Sequence, residues 1–176
     1  MEFCRLTSNF NIHDIDIIDE QMFFGDNGRG IGYYNIDFPQ KGELMSIIPK
    51  EYHQDFTITL MKVNTEVPPH TDSGIKSTIN FYIETGDCIT QFYKFSNDIP
   101  KTKQVGGQSD GFVFDEKDLE QTNSFVAEPG QAWLLDVTVP HSVKPGNNFK
   151  ERLAVAMSST LCYHDVKILL SKKGLI

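Results

Sequence analysis

From about residue 55 to residue 160 the chain alternates. Short runs with apolar or aromatic residues at every second position are broken at close intervals by glycine, proline, asparagine and aspartate. Segments 56–63 (FTITLMKV), 77–84 (STINFYIE), 89–95 (ITQFYKF), 112–115 (FVFD), 124–128 (SFVAE), 131–137 (QAWLLDV) and 152–159 (RLAVAMSS) carry the β-branched and aromatic enrichment of strands. VPPH (67–70), ETGD (84–87), NDIP (97–100), GGQSDG (106–111), EPG (128–130) and KPGNN (144–148) read as the turns between them. Many short strands so spaced predict an all-β sandwich or barrel. Within STINFYIE, Thr78, Asn80 and Tyr82 alternate with Ile79, Phe81 and Ile83. One side of that strand is therefore polar, lining a cavity or facing solvent. Trp133 and Leu135 share a strand face and read as core.

Outside this region the pattern is weaker. Ile15, Ile18 and Met22 fall at helical spacing after Asp14, a candidate N-cap, and predict a short helix packed outside the sheets, although Ile15 and Ile17 also fit alternation. The glycine-dense GDNGRGIGYY (25–34) has no Lys-Ser/Thr end and no apolar strand directly before it, so it reads as a turn rather than a phosphate loop. The polar stretch 96–111 is longer than a hairpin needs and is expected to be a mobile surface loop, with a substrate-covering lid as the alternative. The tail VKILLSKKGLI fits a helix or a strand equally.

At 176 residues the chain is the size of one domain, 1–176, with its core at about 55–160. A net charge of -8 disfavours a nucleic-acid partner, because phosphate binding needs clustered Lys and Arg. No apolar run approaches the roughly 20 residues that cross a bilayer, and residues 1–9 lack the pattern of a signal peptide, so a cytoplasmic protein without membrane contact is expected, a monomer or simple homo-oligomer. Cys4, Cys88 and Cys162 are odd in number and outside any CxxC spacing, and they read as buried free thiols.

Candidate chemistry concentrates at three places. PPHTDSG sets His70 and Asp72 two residues apart, so that in an extended segment an imidazole and a carboxylate project to the same side. HSVKP supplies His141 directly after an apolar strand. Two histidines and one carboxylate leave adjacent positions of a metal open, which suits non-haem Fe(II). Arg152 opens the apolar strand RLAVAMSS, where an inward-pointing charge needs a partner. A guanidinium there can take a carboxylate bidentately, or a salt bridge to one of the chain's acids. His53, His164 and the His13–Asp14 pair have no partner at metal spacing, the last reading as a cap feature, and DEKDLE (115–120) reads as a solvated turn. Asp136 and Lys144 flank the His141 segment and could support it.

Taken together, HTD at 70–72, His141 and Arg152 resemble the HxD…H…R signature of the 2-oxoglutarate/Fe(II)-dependent dioxygenase superfamily. STINFYIE, ITQFYKF and EPGQAWLLDVTVPHSVKP resemble successive strands of its prolyl 4-hydroxylase-like branch. The likeness covers about residues 56–159. It implies a mainly β, double-stranded β-helix (jelly roll, cupin-like) with a few short flanking helices. It also implies an iron site at His70, Asp72 and His141, and 2-oxoglutarate held by Arg152 and Tyr82 together with Asn80 and Thr78, which line the same cavity. The implied activity is hydroxylation of an unactivated C–H, on a protein, peptide or amino-acid side chain such as prolyl, or on a small molecule. It would use Fe(II), 2-oxoglutarate and O2, with ascorbate as a reductant. The segment KVNTEVPPH departs from the branch in lacking an Arg-Tyr or Asn-x-Tyr. The competing expectations are a non-catalytic jelly-roll binding module and a cupin-type metalloenzyme without a keto acid.

Overall fold

The computed structural model describes residues 2–19, 31–96, 112–147 and 149–176, and the backbone of 102–104. The chain runs through β1 (Phe3–Arg5), β2 (Asp16–Ile17), β3 (Ile31–Tyr34), β4 (Ile36–Asp37), helix α1 (Lys41–Ser46) and a 3-10 segment (Lys50–Asp55). There follow β5 (Phe56–Val63), β6 (Val67–His70), β7 (Ser77–Glu84), β8 (Ile89–Phe95), β9 (Thr102–Gln104) and β10 (Phe112–Phe114). After a short 3-10 turn come β11 (Leu119–Val126), β12 (Ala132–Asp136), β13 (His141–Lys144), β14 (Arg152–Ser159) and helix α2 (Tyr163–Lys172).

One six-stranded sheet has the order β1-β12-β7-β14-β5-β3, and the facing one has the order β11-β8-β13-β6-β10-β9. From β5 to β8, and again from β11 to β14, each strand lies in the opposite sheet from the one before it. The pairings are antiparallel throughout. This is a double-stranded β-helix, a jelly roll of mainly β structure with few helices.

The strand periodicity of two divides the core in two. Ile79 and Phe81 on β7, Leu60 on β5, Leu134 on β12, and Val155 and Met157 on β14 point outward from the first sheet. There they meet Leu44 of α1 and Val166 and Leu170 of α2. Tyr82, Met61, Leu135, Ala154 and Ala156 point inward between the sheets, with Val67, Phe92 and Val143 from the other side. The apolar face of this sheet is therefore its outer, helix-covered one, which frees the polar stripe of β7 to line the interior.

Several sequence expectations are corrected. No helix forms over residues 15–19. Asp14 sits at φ 55, with Asp16–Ile17 paired to Ile36–Asp37, and Ile18 is 67% exposed. Ile15 packs against the outer core from an extended segment, so local helical spacing loses to strand pairing; Met22 lies outside the described residues. The flanking helices are α1 and α2, and the undecided tail is helical to Lys172 because Val166, Leu169 and Leu170 share one buried face. Ile31–Tyr34, expected as part of a turn, is an edge strand against β5, while residues 25–30 are not described. VPPH is strand β6, and HSVK is strand β13. Its prolines fall where the β6–β13 ladder shifts register between His141 and Val143, the kind of irregularity that tolerates a missing N–H. Within 96–111, Thr102–Gln104 pair with β10, and most of the expected loop or lid lies outside the described residues. Of the cysteines only Cys88 is buried; Cys4 is partly covered and Cys162 exposed. Among the described residues no helix is long and apolar enough to cross a membrane.

Candidate metal centre

His70 ends β6 and His141 begins β13, and the two are register partners across the antiparallel pair. Their rings lie 4.3 Å apart. Asp72 follows two residues later, its loop held by Thr71 N–H donating to the Phe112 carbonyl (3.0 Å) and Asp72 N–H donating to that of Val137 (3.0 Å). One ligand atom from each of His70, Asp72 and His141 can be chosen so that all lie within 4.8 Å of one another. His70 Nε2 is 3.5 Å from an Asp72 oxygen.

The backbone fixes the tautomers. His70 Nδ1 lies 2.8 Å from the Pro68 carbonyl, and His141 Nδ1 lies 2.9 Å from the Val139 carbonyl. A carbonyl only accepts, so each Nδ1 carries a proton, and in the neutral ring Nε2 is the nitrogen left with a lone pair for a metal. Phe92, the register partner of His141 on β8, stacks over that imidazole at 5.9 Å. Two imidazoles and a carboxylate, oriented before any ion arrives, could hold a divalent metal, and nitrogen with oxygen donors favours a first-row transition ion.

Arg152 opens β14 on the inward face and is only 3% exposed. Its Nη1 donates to Thr90 Oγ1 (3.0 Å), and its Nη2 donates to the Tyr82 hydroxyl. The guanidinium carbon also lies 4.6 Å from the centre of the Tyr82 ring. Both partners are neutral, and no carboxylate pairs with Arg152 among the described residues. One cavity is lined by His70, Asp72, His141, Arg152, Thr78 and Asn80 together. Tyr82 stands behind this wall, acting on the cavity through Arg152.

Sequence reasoning passed over several lining residues. Thr90 and Ser158 are small hydroxyl residues on strands recognised by their apolar positions, and alternation alone would have turned them inward. Ile31 and Tyr33 come from the segment read as a turn, and no pattern signalled them. Asp136 is used locally, accepting from Thr138 N–H (3.1 Å) and its hydroxyl (2.6 Å). Lys144 pairs with Glu66 and Glu116. His53 is hydrogen-bonded to the Ile48 carbonyl (2.9 Å), His164 is exposed, and His13 contacts Asp14 (2.7 Å) with no helix for that pair to cap.

No protein-family model matches the chain, and no curated protein matches it. Among solved structures it is similar to vicilin from Solanum melongena (15% identity, TM-score 0.41, covering 80% of this chain and 31% of that one). It is also similar to vicilin from Corylus avellana, hazelnut (12%, TM-score 0.45, 85% and 32%). A third is hydroquinone 1,2-dioxygenase in complex with Cd2+ and 4-hydroxybenzonitrile (12%, TM-score 0.40, 86% and 83%). The chain spans about a third of the vicilin chains' length. None is similar enough to lend this chain a residue role. Its own strand order and site define a jelly-roll protein with a candidate two-histidine, one-carboxylate metal centre.

Proposed function

We propose that this protein is an Fe(II)- and 2-oxoglutarate-dependent oxygenase that hydroxylates an unactivated C–H bond on a protein, peptide or amino-acid side chain. The observation that supports this reading is Arg152, a buried cation that pairs with no carboxylate among the described residues and lines the same cavity as the His70–Asp72–His141 group. A buried charge without an anion is costly, and a dicarboxylate supplies one.

His70, Asp72 and His141 would hold the iron, which when bound supplies a Lewis-acid site for the keto acid and activates O2. Arg152 takes the far carboxylate of the keto acid in a charge-assisted pair. Thr90 and Tyr82 fix the plane of the guanidinium, so little freedom is lost on binding. Met61, Val67, Leu135 and Val143 give the cavity apolar walls that limit water around the reacting groups. Asp72 retains the carboxylate that halogenating relatives of such enzymes give up, which favours hydroxylation.

The test is succinate formation from 2-oxoglutarate with Fe(II), ascorbate and O2. Wild-type protein should release succinate and Asp72→Ala should not. A wild-type protein that takes up metal but neither binds nor consumes 2-oxoglutarate would remove the assignment, leaving a keto-acid-independent metalloprotein.

A further inference from the structure

The cavity has two polar ends, and the reading above uses one. Arg152, Tyr82 and Thr90 gather at one end. Ser158 lies six residues further along β14, roughly 20 Å of strand. It is the register partner of Thr78, and Asn80 is opposite Ala156. The Asp72 loop borders this second end, because Leu135 pairs with Thr78 on β12 and the residue just beyond that strand, Val137, accepts from Asp72 N–H, while His141 stands closer to the first, two residues from Val143, the register partner of Thr90. Between the two ends β14 contributes only Ala154 and Ala156, leaving room over the wall for a bound keto acid.

Asn80 is 4% exposed and Ser158 8%. The Thr78 hydroxyl donates to Asn80 Oδ1 (3.3 Å), which orients the amide and leaves its N–H2 as the free side. Among the described residues neither Asn80 Nδ2 nor Ser158 Oγ has a hydrogen-bond partner. Neither is sealed away from the cavity, which both residues line. Donors on buried residues that open only onto the cavity are free to take an acceptor bound there. Among the lining residues no Lys or Arg stands at this end to pair with an anion, the cavity's guanidinium being at the other. A second carboxylate is therefore disfavoured, and a neutral oxygen fits.

We propose that the Asn80 amide and the Ser158 hydroxyl form a second recognition point, donating hydrogen bonds to an uncharged carbonyl oxygen of the primary substrate, as in an amide or peptide group. The proposal rests on the oxygenase reading in taking the co-substrate to occupy the Arg152 end.

The test follows the Asn80 side-chain amide resonances in 15N–1H spectra of the Zn(II)-loaded protein, identified by their absence in Asn80→Leu, or in Asn80→Asp should the first variant not fold. The probes are 2-oxoglutarate, then the N-acetyl methylamides of proline, lysine and asparagine, with the free amino acids as controls. With 2-oxoglutarate saturating, at least one amide should shift the Asn80 pair saturably, and Ser158→Ala should weaken that probe about fivefold, the worth of one hydrogen bond. If 2-oxoglutarate alone moves the pair and the amides add nothing, the two groups serve the co-substrate and the proposal is overturned. It is equally overturned if no probe moves the pair. Should 2-oxoglutarate not bind at all, the oxygenase reading fails separately, and the response to the amides still decides this one.

Discussion

The two histidines illustrate how much a single hydrogen bond settles. Each Nδ1–H is committed to a carbonyl two residues back, at Pro68 and Val139, so each ring is locked with its lone pair turned to the same point. Removing Asp72 takes away the anionic member of the group. Loss of outer-shell partners alone weakens metal sites by roughly 10–100-fold, and Asp72→Ala should cost on the order of 100-fold or more in Fe(II) or Mn(II) affinity, read by equilibrium dialysis. In the proposed function Arg152 acts on the other ligand, the keto acid. Its truncation should cost about 2 kcal/mol or more in 2-oxoglutarate binding, roughly a 30-fold rise in KM, with metal affinity unchanged. Thr90→Val removes one neutral hydrogen bond from the guanidinium and should raise the same KM only about fivefold. Equal effects of Arg152→Ala and Asp72→Ala on metal affinity would contradict this division of labour.

Elements hold these side chains in register. The turn between β7 and β8 presses on the segment joining β13 to β14. A Cβ on Gly146 would meet the Asp87 carbonyl oxygen at 2.4 Å, and one on Gly86, itself at φ +54, would meet the Glu151 carbonyl oxygen at 2.7 Å. Glycine is required at both positions, by contact at the first and by contact and conformation at the second. Gly146→Ala should destabilise the fold by about 1–3 kcal/mol in urea unfolding. Because the segment leads into Arg152, it should also raise the KM for 2-oxoglutarate. Helix α2 is distant from the cavity, on the outer face of the first sheet. Leu170→Ala should cost about 2–5 kcal/mol of stability while leaving metal and keto-acid affinity unchanged.

At the scale of the whole molecule, the resolved proton equilibria all shift the same way. Burial raises the Cys88 thiol from 9.0 and the Tyr93 phenol from 10.0, and burial with the neighbouring Cys4 raises the Tyr163 phenol. For Lys144 burial opposes the charge, but hydrogen bonds to Glu116 and Glu66 outweigh it and its pKa also rises. Each group holds its proton more tightly folded than unfolded. The stability this contributes is complete below the unfolded pKa and is lost as pH rises through the folded one. Urea midpoints should therefore fall once pH passes about 9.0, the thiol value, and fall further beyond the phenol value of 10.0. A midpoint that is level across this range would refute the shifts. At this scale too, the sequence alone determined the strands of the two-sheet core, because β5, β7, β8 and β14 have a periodicity of two that needs no tertiary knowledge to read. It also determined the residue types of the site, since HxD, His141 and Arg152 stand at recognisable places along it. What the tertiary structure decided was orientation and company. It turned the polar stripe of β7 inward because helices cover the apolar side, made VPPH a strand, denied residues 15–19 a helix, and brought Thr90 and Ser158 into the cavity. Those outcomes depend on contacts between residues far apart in the chain, and local pattern carries no record of them.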